Sequence, residues 1–160
     1  MQTPTFRRKQ IRLPLPTYRT TYACALTIRT AGQTRPFSNS SLCLEAIDLL
    51  RRVSIRRSVA VFAYCVMPDH VHVLAQSTQG ESLVDFVKEF KQRLGYRFKQ
   101  RTGLSLWQKS YHDRFLRGED DLRSAARYVF ENPVRGGLVR RASGYSFSGS
   151  FVWDRTALEG

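Results

Sequence analysis

The stretch VAVFAYCVMPDHVHVLAQ, residues 59–76, constrains the fold more than any other part of the chain. Val59 to Val66 is an unbroken apolar and aromatic run, of strand length and rich in residues that suit a pleated surface. Met67, Pro68 and Asp69 interrupt it, because proline fixes φ and brings no N–H to a ladder. His70 to Gln76 then resumes an extended pattern. Two extended runs this close can pair only as an antiparallel hairpin, since a parallel pair needs a crossover of a dozen or more residues. A sheet must therefore be built around this segment.

The flanking periodicities say what else joins it. Residues 18–28 alternate, with Tyr18, Tyr22, Cys24, Leu26 and Ile28 on one side and Arg19, Thr21 and Thr27 on the other, which predicts a strand. From Ser41, the positions Leu42, Ala46, Leu49, Leu50 and Val53 recur at helical spacing, and Arg51, Arg52, Arg56 and Arg57 suit the negative end of that helix. Ser82 with Asp85 opens a second helix that buries Leu83, Phe86, Val87, Phe90 and Leu94 and ends by Gly103. A short strand is expected over His112 to Arg117. The order strand, helix, strand, strand, helix, strand predicts an α+β fold, the ferredoxin-like βαββαβ antiparallel sheet with helices packed on it. In that topology HVHVLA lies mid-sheet. A third helix is expected from about Glu119 to Asn132, with Pro133 ending it. The chain thus divides into a basic N-terminal arm, 1–16, a domain, 17–132, and a basic, aromatic tail, 133–160, packing on the domain or contacting a partner.

Charge narrows the partner. In 160 residues, 26 Lys and Arg face 13 Asp and Glu, a formal charge of +13. An excess carried mostly by arginine points to a polyanion, because the guanidinium fork matches phosphate. Candidate contacts are Arg7, Arg8 and Arg12 of the arm, Lys88 and Lys91 on the second helix, Arg114, and Arg135, Arg140, Arg141, Tyr145 and Trp153 of the tail, where rings could stack on exposed bases. Val59 to Met67 is too short to span a bilayer, and the first residues lack the apolar core of a signal peptide, so no membrane role and a cytoplasmic location are expected. Cys24, Cys43 and Cys65 are odd in number and set among apolar residues, as reduced core thiols would be.

His70 and His72 carry the chemistry. On a strand, i and i+2 project from one face about 7 Å apart, near enough for both imidazoles to reach one ion. RYVFENP sets Tyr128 and Asn132 four residues apart, on one side of the expected third helix. Two imidazoles and an amide oxygen make an incomplete shell that fits Mn²⁺ or Mg²⁺ with phosphate and water in the remaining positions. Tyr128 is then a candidate nucleophile, against the plainer reading of a tyrosine packed at a helix edge.

YCVMPDHVHVLA, LWQKSYHDRFLR and RYVFENPVRGGLV, in this order and spacing, resemble the single-tyrosine HUH transposases, most of all the bacterial REP-associated tyrosine transposases of the IS200-like family. The resemblance runs from about Tyr18 to Phe151. It implies His70, His72 and Asn132 as ligands of a divalent Mg²⁺ or Mn²⁺ ion, Tyr128 as nucleophile, and a C-terminal catalytic helix. The implied reaction is cleavage and rejoining of single-stranded, hairpin-forming DNA with REP-like palindromes through a 5′-phosphotyrosine intermediate, by a nucleoid-associated monomer or homodimer. Water on the ion, His112 and Asp113 remain open as acceptors of the tyrosine proton. Three other readings stand beside it. A non-catalytic binder of DNA hairpins keeps the fold without the reaction. A His-x-His-x-His phosphotransferase lacks its third ring at Leu74. A tri-histidine zinc site would recruit His112.

Overall fold

A computed structural model describes residues 22–117 and 121–154. The elements run β1 (Cys24–Arg29), α1 (Ser40–Arg56), β2 (Val59–Met67), β3 (His70–Ser77), α2 (Leu83–Thr102), β4 (His112–Phe115), α3 (Leu122–Phe130), α4 (Asn132–Arg135) and β5 (Ser148–Gly149). The strands form one antiparallel sheet in the order β4-β1-β3-β2-β5, so the fold is the expected ferredoxin-like α+β arrangement with one strand added at the β2 edge. The histidine strand is central. The N-terminal arm and the beginning of the expected first strand lie outside the described residues. Tyr22, expected on the buried side of that strand, is 58% exposed, ahead of β1.

The hairpin forms as expected, with Pro68 and Asp69 as its turn and Met67 paired to His70. Each long helix starts where a side chain can take up a free N–H. Asn39 Oδ1 accepts from Leu42 N–H, and Ser82 Oγ accepts from Asp85 N–H. α2 ends at Gly103, whose φ of 73° is the left-handed geometry glycine adopts without a Cβ clash. Ser58 takes φ of 51° between α1 and β2, in a turn closed by hydrogen bonds from Thr78 N–H and Oγ to the Ser58 carbonyl.

The sheet has two different faces. Cys24, Leu26, Ile28, Val71, Val73 and Ala75 pack beneath α1 and α2 in the larger core. Ala63, Cys65, Met67 and Leu74 pack with Ala126, Val129 and Phe130 of α3 in a smaller core on the other face. A bulge between Val61 and Ala63 keeps β2 loyal to both: Val59 and Val61 face the two long helices before it, and Tyr64 and Val66 face them after it. The cysteines are buried free thiols, as read from the sequence. Burial drives Cys24 up to about 12 and Cys43 up to about 11.

Two expectations are corrected. α3 stops at Phe130, Glu131 caps it, and a second helical turn begins at Asn132 with Pro133 in its first positions. Proline is at home in a first turn, where its missing N–H has no partner to lose, so it restarts the helix rather than ending helical structure. The tail also supplies β5, which pairs Ser148 and Gly149 with Cys65 and Tyr64. A Cβ on Gly149 would sit 2.7 Å from Tyr64 Oη, so only glycine lets that edge close.

Candidate functional site

The registers fix which side chains share the face under α3. Residues directly opposite in an antiparallel pair point the same way. His72 is opposite Thr27, which is in turn opposite His112, so these three form one row across β3, β1 and β4. His70 is opposite both Arg29 and Met67, giving a second row. Asp113 is opposite Leu26 and therefore lies on the face of α1 and α2, where its charge helps raise the Cys24 thiol. Strand alternation thus separates Asp113 from the histidines, correcting its supporting role. His112 stays on their face.

The His70 and His72 rings meet edge to face with centroids 4.6 Å apart. Each ring is held through Nδ1: His70 by Asp69 Oδ1 at 2.6 Å, His72 by Thr27 Oγ at 3.1 Å. A carboxylate only accepts, so His70 donates to it from Nδ1. Burial first, then the charges of His70, Arg29 and Arg135, hold His72 down to about 3, so it is a neutral imidazole at physiological pH. Burial alone would raise Asp69, but its hydrogen bond and charge pairing with His70 outweigh this and leave it below the usual carboxylate range.

α3 lies across β2 and β3, and α4 carries the chain past the end of β2. A Cβ on Gly136, just after α4, would come within 3.0 Å of Met67 Cε, which puts this turn against the strand residue paired with His70. Asn132 opens the turn, and its buried Nδ2 has no hydrogen-bond partner. Tyr128 is 62% exposed on the outer side of α3. Arg135 covers its ring, with Cζ 3.7 Å from the centroid, donates to the Tyr128 carbonyl at 2.6 Å and pairs with Glu131 at 3.6 Å. Arg135 is thus in contact with Tyr128 and close enough to act on His72. The four-residue spacing of Tyr128 and Asn132 spans the break at Glu131 rather than one continuous helix.

Whether these groups suit a divalent ion can be judged from the donors alone. Both rings are oriented through Nδ1, the arrangement that fixes ligand histidines from behind, so Nε2 is the atom each would offer a ligand. An amide with an unpartnered buried nitrogen offers an oxygen at the same place after a turn about χ2. Among the described residues no three His, Cys, Asp or Glu side chains are grouped to hold a metal, which removes the tri-histidine reading with His112. The donor set fits two imidazoles and an amide.

The expected DNA contacts divide. Arg7, Arg8 and Arg12 lie outside the described residues. Arg114 is opposite Ala25 and shares the histidine face, and Arg140 and Arg141 are exposed beyond α4. Lys88 and Lys91 are on α2, behind the sheet, where Lys91 Nζ donates to the Gln108 carbonyl at 2.8 Å. Tyr145 and Trp153 follow the packing alternative for the tail: Tyr145 donates its Oη to the Val66 carbonyl, and Trp153 packs on Phe62 with centroids 5.1 Å apart. Thr27, Arg29 and Asp69 were not singled out from the sequence as site residues. Only Asp69, adjacent to His70, carried a local signal.

A central-strand histidine pair on the α3 face of a ferredoxin-like sheet, with a tyrosine on the helix that covers it, defines the class by fold and by the residues it brings to one face. The family profile described as "Transposase IS200 like" matches residues 24–132, and the chain belongs to that family. It is 27% identical over 114 residues to the REP-associated tyrosine transposase of Escherichia coli K12, covering 68% of this chain and 67% of that one. It is 26% identical over 99 residues to a putative REP-associated tyrosine transposase of Haemophilus influenzae Rd, covering 54% and 56%. The chain therefore spans between about half and two thirds of these relatives. A solved REP-associated tyrosine transposase bound to a REP hairpin shares the fold with a TM-score of 0.67 at 21% identity, covering 82% of this chain and 78% of that one. Among the described residues no helix is long and apolar enough to cross a membrane.

Proposed function

We propose that this chain cleaves and rejoins single-stranded, hairpin-forming DNA through a 5′-phosphotyrosine link formed by Tyr128. The observation that carries the reading is the pair of imidazoles, each tethered through Nδ1, with the charge of Arg135 acting on His72 while its guanidinium covers the ring of Tyr128. His70, His72 and Asn132 are the residues that would hold Mg²⁺ or Mn²⁺, and a bound ion supplies Lewis-acid polarisation of the scissile phosphate. Tyr128 Oη attacks phosphorus, the bond from phosphorus to O3′ breaks, and the leaving oxygen takes a proton to become a 3′-hydroxyl. The phenol gives up its own proton. Of the two side chains considered as acceptors, His112 shares the histidine face. Arg29 and Arg135 offset phosphate charge beside the imidazoles.

One phosphodiester replaces another, so a 3′-hydroxyl from a second strand end reverses the step and joins it without ATP. A hairpin partner is supported by the hairpin-bound protein of the same fold, and a bacterial setting by the bacterial relatives. The test is incubation with labelled single-stranded hairpin DNA and Mn²⁺. A covalent adduct that disappears in Tyr128→Phe supports the reading. Tight hairpin binding with no adduct under any divalent ion would replace it with the non-catalytic binder.

A further inference from the structure

Glu89 occupies an inward position of α2 and is only 7% exposed, an unusual place for a carboxylate. Three guanidinium groups meet it. Arg56, the last residue of α1, pairs with Oε1; Arg93, one turn further along α2, lies 3.5 Å from the same oxygen; Arg57 Nε lies 3.5 Å from Oε2. Their side chains are 58%, 50% and 30% exposed, so a buried anchor holds three cationic heads facing solvent. Lys88, Asp85 and Gln92 complete the lining of the same open depression, about 400 Å³. Four cations there face two carboxylates.

One carboxylate cannot neutralise three arginines, and the hydrogen bonding at the centre of the cluster is incomplete. Buried Arg57 Nε and Glu89 Oε2 have no hydrogen-bond partner. Like charges held together around an incompletely bonded centre are costly unless something anionic shares the site. The lining offers no aromatic ring, which removes the stacking that binds unpaired bases. What remains is charge and forked donors, which suit a phosphate backbone whose bases are turned inward.

We infer that this arginine fan is a second DNA-contact site, a clamp on the phosphodiester backbone of a paired stem, on the face of the sheet opposite the histidine pair. α1 and α2 pack against Val71 and Val73, whereas His70 and His72 face α3, so the fan grips a different stretch of DNA from the one being cut. The inference rests on DNA being the substrate but not on the tyrosine chemistry. Binding is therefore measured in Tyr128→Phe without divalent ions, by fluorescence anisotropy over a salt series. One probe is a hairpin with a paired stem, the other an unstructured strand of equal length.

Arg56→Gln with Arg93→Gln should weaken stem binding on the order of 10-fold and lower the salt slope by about two, at roughly 0.9 per phosphate contact, while the unstructured strand is affected much less. Lys88→Gln, which lies outside the three ion pairs of Glu89, should lower the slope by about one with no change in melting temperature. That variant decides the matter if the double replacement does not fold. Unchanged slopes in Lys88→Gln and in a folded double variant overturn the inference and leave a purely structural tie between α1 and α2. Equal losses on both probes overturn the stem preference. Failure of the Tyr128→Phe protein itself to bind hairpin DNA would instead contradict the proposed function.

Discussion

Acidification should destabilise this domain through His72. In the folded state the imidazole is held to about 3 by burial and by the charges of His70, Arg29 and Arg135, against 6.5 for an ordinary histidine. Between those two values the unfolded chain binds a proton that the folded chain refuses, so stability falls as pH falls through this window and is flat above it. The limiting slope for one proton is about 1.4 kcal/mol per pH unit, which makes the loss from pH 6.5 to pH 5 about 2 kcal/mol. Asp69 acts in the same direction but lower: its depressed carboxylate gives stability that is lost only below about 3.8, outside this interval. The assay is urea unfolding at pH 7, 6 and 5 with EDTA present, for the parent and for His72→Gln. The parent should lose about 2 kcal/mol more than the variant between pH 7 and pH 5. Parallel curves would refute the claim that His72 is buried as a neutral base.

Thr27→Val keeps the strand but removes the oxygen that holds His72 Nδ1; Mn²⁺ affinity by calorimetry should fall about 10-fold, as for other supporting residues of metal ligands, with the fold intact. Tyr145→Phe removes the hydrogen bond to the Val66 carbonyl and should cost about 1–2 kcal/mol in urea unfolding. Ser58→Gly relieves a left-handed backbone and should raise stability by up to about 1 kcal/mol in the same assay.

What was legible in the sequence was local. The β2-β3 hairpin, the inward faces of α1 and α2, and the caps at Ser82 and Gly103 each follow from a few consecutive residues whose periodicity or turn chemistry leaves little choice. What was not legible depended on pairing across the sheet. Thr27 read as the polar side of a strand that ended at residue 28, and only the register that sets Thr27 and Arg29 opposite His72 and His70 makes them part of the site. Asp113 and His112 are neighbours in sequence, yet alternation sends them to opposite faces. β5 carries no alternating apolar pattern and exists because Gly149 can approach Tyr64. Glu89 carries no local signal of burial, which depends on Arg56 and Arg57 arriving from α1.

The central claim concerns one oxygen atom and the side of the break it joins. DNA labelled at either end is allowed to react with the protein and Mn²⁺, and any covalent product is digested with trypsin and sequenced by mass spectrometry. Cleavage after Arg127 and Arg135 releases YVFENPVR, in which Tyr128 is the only tyrosine. The account requires nucleotide mass on that peptide, retention of the 3′-end label with the protein and release of the 5′-labelled fragment bearing a free 3′-hydroxyl. Nucleotide on another residue, or the 5′-end label retained, would contradict it.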